Sequence, residues 1–177
     1  MRMRAIAALL LALAAAGCRA EWDGYYVVGF STPAGNEIWI RRVVFDDRWW
    51  APGGGLACCW EETTSTVGVF DHPLPRVVEV EWLDESEKRI YEARVELPPD
   101  LPERMKKLPY FTWTIDGKRD LGHYLIIGFR EGGGVVVWLS NAPHGYNMRG
   151  RVLEVVGEGH ARRMMDWTPG AQLPRDR

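Results

Sequence analysis

Along residues 76–97, "RVVEVEWLDESEKRIYEARVEL", apolar and polar side chains alternate with a period of two. Val78, Val80 and Trp82 interleave with Glu79 and Glu81. Past the polar stretch "DESEK", Tyr91, Ala93, Val95 and Leu97 interleave with Glu92, Arg94 and Glu96. Successive side chains of a strand point to opposite faces, so the pattern predicts an antiparallel hairpin with one buried and one solvated face. A second hairpin is predicted in "HYLIIGFREGGGVVVWLSN", two apolar runs joined by a glycine turn at Gly132 to Gly134. Its strands are apolar at nearly every position, which places them centrally in a sheet covered on both faces. Further strands are predicted over 25–30, 37–45, 56–61, 110–115 and 151–156, separated by Gly, Pro and Asp clusters with turn chemistry.

One short helix is predicted in "DLPERMKKL", where Asp100 and Glu103 approximate a capping box, Pro102 sits in the first turn and Pro109 lies just beyond the end. Many short strands, near-regular turns and a single helix predict a mainly β fold, an antiparallel β-sandwich or a strongly curved sheet. Residues 23–165 read as a single β-rich domain. Residues 166–177, "DWTPGAQLPRDR", rich in Pro and charge, read as a loosely ordered tail.

The first twenty residues, "MRMRAIAALLLALAAAGCRA", follow another grammar. Arg2 and Arg4 precede an unbroken apolar run from Ala5 to Ala16, and small residues lead to Cys18. Those are the parts of a secretory signal peptide, residues 1–17. The run is 12 residues long, against the roughly 20 that a membrane-spanning helix needs. Small residues ending in Gly-Cys resemble the lipobox of bacterial lipoproteins, with Ala15 where that family prefers Leu. The resemblance implies a lipid on Cys18, cleavage before it, and residues 18–22 as a lipidated N-terminus and tether. Arg19 rather than Asp after the cysteine implies, by the same resemblance, the outer membrane and a periplasm-facing domain.

Removing residues 1–17 leaves 160 of 177 residues and takes the formal charge from −2 to −4. A domain of that size buries roughly 68–70% of its unfolded surface, so a core can form without metal or disulfides. The weak, dispersed acidity offers no basic stripe for a phosphate backbone, and nucleic acid is not an expected partner. Tryptophan is abundant, 9 in all. Adjacent Trp49 and Trp50 cannot both enter one core if they lie on a strand.

Chemistry is sparse. His72, His123, His144 and His160 show no spacing that chelates zinc, so no metal site is expected. No G-x-S-x-G elbow or S-x-x-K motif is present, and the glycine runs lack the following helix and G-K-[ST] of a phosphate loop. The carboxylates of "DESEK" read as a solvated turn. No catalytic residue and no cofactor is expected.

"GGGLACCWE" places Cys58 beside Cys59. With Cys18 lipidated in an oxidising periplasm, the two have only each other. Neighbouring Cα atoms are about 3.8 Å apart across a trans peptide, short of the roughly 4.4–6.8 Å of an ordinary disulfide. Three readings stay open: two small buried hydrophobes on opposite faces of a strand, a vicinal disulfide kinking the chain, or redox and ligand chemistry.

The lipoprotein signal, "GGGLACC", the residue 78–98 hairpin and "IIGFREGGGVVVWLSN" together resemble small proteobacterial lipoproteins of unknown function. One group carries a glycine run followed by Cys-Cys, matched here by Gly53 to Gly55 with Cys58 and Cys59. A neighbouring group carries a W-x-x-x-E-x-x-x-Y hairpin and a G-G-x-V-x-V-W-L strand, approached here by Trp82, Glu87 and Tyr91. The resemblance covers residues 20–160. Members are often encoded beside type VI secretion effectors, particularly lipases, which implies an immunity protein whose partner is a secreted effector toxin. The expected contact surface is the loops around Trp49, Trp50 and Trp60 with the loop of His144 and Tyr146. The alternative expectation is a structural or accessory outer-membrane lipoprotein without enzymatic activity.

Overall fold

In the computed structural model, residue 22 and residues 24–168 are described. In chain order the strands are β1 (Tyr26–Ser31), β2 (Ile38–Phe45), β3 (Trp49–Ala51), β4 (Gly54–Leu56), β5 (Ser65–Val69), β6 (Val77–Asp84) and β7 (Arg89–Glu96). Then follow the helix α1 (Leu101–Lys106), β8 (Phe111–Trp113), β9 (Arg119–Asp120), β10 (Tyr124–Phe129), β11 (Gly134–Ser140), β12 (Met148–Arg149), β13 (Leu153–His160) and β14 (Arg162–Asp166). A five-stranded sheet has the order β13-β11-β10-β1-β5. A six-stranded sheet runs β14-β7-β6-β2-β3 with β4 also paired to β2, and β12-β8-β9 make a small third sheet. Every pairing is antiparallel except β1 with β10, which is parallel. The architecture is the predicted mainly β one, antiparallel sheets with one short helix and no closed barrel.

The apolar positions of the alternating pattern meet in one core. Val28, Phe30, Leu125, Ile127, Val135 and Val137 of the five-stranded sheet share a buried cluster with Ile38, Phe45, Val80, Trp82, Tyr91 and Val95 of the six-stranded one. Trp82 meets Phe129 edge-on across the layers, 5.0 Å between centroids. Along one side the sheets close where β13 lies against β7. A Cβ at Gly157 would stand 2.8 Å from Val95 Cγ1, and one at Gly159 3.0 Å from Val95 Cγ2. Only glycine lets the two strands approach so closely. On the other side β5 and β3 end their sheets as edges.

Both predicted hairpins form, as β6–β7 and β10–β11, and Glu87 ties their turns together. Its Oε1 accepts the Gly132 N–H at 2.8 Å, and its Oε2 accepts the Tyr91 hydroxyl at 2.5 Å and an Arg89 N–H at 2.9 Å. The opposite face of the β6–β7 hairpin carries ion pairs, Arg94 with Glu79 and Arg162 with Glu92 toward solvent and Arg41 with the buried Glu81, beside the buried Leu83 and Ile90.

Three local expectations are corrected. Asp100 makes no side-chain cap to α1, because its backbone (φ −93°, ψ 11°) lacks the extended geometry of an N-cap. It pairs with Arg104 Nε at 3.0 Å instead. Residues 56–61 are not a strand: β4 stops at Leu56, and the following apolar residues leave the sheet to cover the other one. At the C-terminal end β14 pairs with β7 as far as Asp166, and the Trp167 N–H donates to the Lys88 carbonyl at 2.8 Å. Residues 169–177 of the expected tail lie outside the described residues, as do the signal segment and Cys18. Among the described residues no helix is long and apolar enough to cross a membrane.

Candidate functional site

The aromatic and histidine residues singled out as contacts fall in two places. Trp49 and Trp50 lie on β3, opposite Phe45 and Val44 of β2. As strand neighbours they point to opposite faces. Trp49 turns inward and stacks on Phe45 (4.0 Å between centroids) and on His72 (5.1 Å). Trp50 is 70% exposed. It borders a groove of about 450 Å³ across the β3 and β5 edges, shared with Arg48, Val67, Phe70 and His72. Phe70, 65% exposed, leans on Tyr25 at 4.6 Å.

Trp60, His144 and Tyr146 belong instead to two loops bonded to each other. The segment 57–64 leaves β4 and crosses the outer face of the five-stranded sheet. There Ser31 Oγ donates to the Cys59 carbonyl at 2.8 Å and the Thr64 N–H to the Phe30 carbonyl at 3.1 Å. Cys58 and Cys59 are joined by a disulfide across a cis peptide bond, with their Cα atoms 3.2 Å apart. Trp60 meets Trp138 edge-on at 4.9 Å, and the Arg130 guanidinium lies over its ring at 5.5 Å. Gly128 makes room for this cover: a Cβ there would fall 2.4 Å from the Trp138 ring and 3.1 Å from that of Trp60.

The second loop, 141–151, hangs from the buried Asn141. Its Nδ2 donates to the carbonyls of Pro109 (2.8 Å) and Gly150 (3.0 Å), and its Oδ1 accepts the Val152 N–H at 2.7 Å. Three backbone groups, in two segments, are thereby pinned by one amide. The loops are stitched by the Thr63 N–H to the Pro143 carbonyl at 2.9 Å, and by the Arg151 guanidinium to the Glu61 carbonyl. Burial pulls the Arg151 pKa below its usual value, against the opposing pull of Glu62 and Glu61.

At the tip His144 stacks face to face on Tyr146, 3.7 Å between centroids and 4° between planes, with Trp113 edge-on to His144 at 5.9 Å. Tyr146 is 60% exposed. The Thr114 N–H donates to the Asn147 carbonyl at 2.9 Å, and Ile115, in the turn that follows, is 79% exposed. Tyr110, also exposed, carries Arg119 over its ring at 5.0 Å.

Of the named candidates, then, Trp50 and Tyr146 reach solvent, while Trp49, Trp60 and His144 support them or cover the sheet. His123 packs edge-on against Trp22 at 4.8 Å, and burial holds its pKa below the usual histidine value. Among the described residues no group of three or more His, Cys, Asp or Glu is placed to hold a metal ion. The sequence reading missed Asn141, Ile115 and Phe70. Only Asn141 left a trace, a polar Ser-Asn pair closing an apolar strand.

No curated protein and no solved structure matches the chain. A family model described as "Protein of unknown function (DUF2931)" matches residues 19–169, most of the sequence and all of both loops, and the chain therefore belongs to the DUF2931 family.

Proposed function

We infer that this chain is a lipid-anchored envelope protein, facing the periplasm, that binds and neutralises a secreted antibacterial effector. The single observation that carries the reading is Tyr146, 60% exposed and stacked on His144, on a loop that is otherwise tied down. Exposed tyrosine is among the residues enriched in binding hot spots. Stacking on His144 and the Asn141 hub fix the Tyr146 loop before any partner arrives, which lowers the entropy cost of binding. An inhibitor needs such a surface and no chemistry of its own. The family match begins at Arg19, directly after Cys18, where a mature lipoprotein would start. The resemblance to lipoproteins encoded beside type VI lipase effectors names the partner class.

The test is to isolate the processed protein from its native envelope with whatever is bound, and to express each captured secreted protein in the periplasm of cells lacking this chain. The expected result is one stoichiometric partner that is toxic there and is no longer captured by Tyr146→Asp. A partner that is harmless without this chain, or one held equally well by Tyr146→Asp, contradicts the reading.

A further inference from the structure

The aromatic groove at the β3 and β5 edges is distinct from the Tyr146 patch: no residue of the 141–151 loop lines it. The groove has exposed rings on both lips, Trp50 on one and Phe70 on the other, with Tyr25 (48% exposed) stacked on Phe70. Monomeric domains rarely leave adjacent large aromatics in water unless something covers them. Edge strands are commonly guarded by charge or proline, yet β5 reads "STVGV" and has neither.

What covers it is indicated by where the chain enters. Tyr25 immediately precedes β1 and is only seven residues after Cys18. Seven residues span at most about 25 Å even when fully extended. A lipid on Cys18 therefore keeps the Tyr25–Phe70 pair within that distance of the bilayer surface. Arg48 stands near Asp47 and Asp71 in the sequence, so there is no excess of positive charge at the groove and electrostatic attraction is not the driving force. Tryptophan, tyrosine and phenylalanine suit the headgroup layer because their rings are apolar or have one apolar and one polar end.

We propose that the Tyr25–Phe70–Trp50 band docks the domain on the phospholipid surface of the membrane to which Cys18 is anchored. The inference rests on the lipid-anchor part of the functional reading and on no effector. Intrinsic affinity can be weak, because a short tether holds the band at an effective concentration on the order of millimolar. Docking fixes the orientation of the domain through the groove residues, none of which belongs to the loop of Tyr146.

The experiment uses the full processed protein reconstituted in vesicles of phosphatidylethanolamine and phosphatidylglycerol containing lipids brominated either near the headgroup or deep in the acyl chain. The expected result is shallow-bromine quenching of tryptophan fluorescence that disappears in Trp50→Ala/Phe70→Ala, with hydrogen exchange over 65–72 slowed on vesicles relative to detergent. Removing both rings should raise exchange there on the order of tenfold. Both residues are exposed, so the variant keeps its fold. Trp50→Phe removes the fluorophore but keeps a ring, and should lose the quenching while retaining the exchange protection. Vesicle flotation separates the two layers of the claim. Floating protein without shallow quenching overturns the docking alone. Protein that fails to float overturns the anchor and the docking with it. Exchange protection without quenching assigns the band to a second copy or another protein and also overturns the proposal.

Discussion

Single side chains do unusually large amounts of joining in this protein, and Glu87 is the clearest example. It accepts from the turn of the other hairpin at Gly132 and from Tyr91 and Arg89 of its own. These bonds favour the carboxylate, the Tyr91 hydroxyl most, and hold its pKa below the usual 4.5. A carboxyl with a depressed folded pKa adds stability that is fully present above the unfolded value and disappears as pH falls through the folded one. Urea midpoints should therefore fall below about pH 4.5 more steeply in the native chain than in Glu87→Gln. At neutral pH that substitution should cost about 1–3 kcal/mol, from lost charge-assisted bonds. Equal acid slopes in the two proteins would show that Glu87 does not couple the hairpins. The motif residues Glu87 and Tyr91 thus have a structural employment, the join between the two sheets' turns.

Among the elements, the loops matter more than the strands. The 141–151 loop depends on Asn141, whose amide satisfies three backbone groups in two segments while itself fully buried. Asn141→Ala leaves those partners unsatisfied and should destabilise by about 2–4 kcal/mol. It should also make the 141–151 loop the first site of proteolysis. A variant with native stability and native cleavage would remove Asn141 from the account. Strands were legible in the sequence where alternation was strong, as in β6 and β7, because period two reports directly which face is buried, and where apolar runs flank a glycine turn, as in β10 and β11. Legibility failed where a residue's burial is decided by a distant partner. Residues 56–61 look like a strand because their apolar side chains are covered, but the cover is Trp138 of the other sheet. The parallel pairing of β1 with β10 and the small β12-β8-β9 sheet join segments far apart in sequence, and no local pattern announces them. Opposite facing of Trp49 and Trp50 followed from adjacency alone. Their separation from Tyr146 did not, since it depends on strand order.

At the scale of the whole molecule, two sheets closed along one seam by β13 and β7 leave two aromatic surfaces, one at the open edges and one on tied loops. With the proposed lipid on Cys18, the band and the patch would together suit the interception of a protein at a membrane surface. The most direct measurement of that account is survival in mixed culture. Cells lacking this chain, but not the secretion system of their siblings, are grown against the parent and against a parent whose secretion is disabled. The account predicts loss against the secreting parent only. Rescue is expected from the native chain and from Trp49→Phe, but not from Tyr146→Asp at equal abundance. Equal survival against both competitors, with the effector expressed and active, would contradict it.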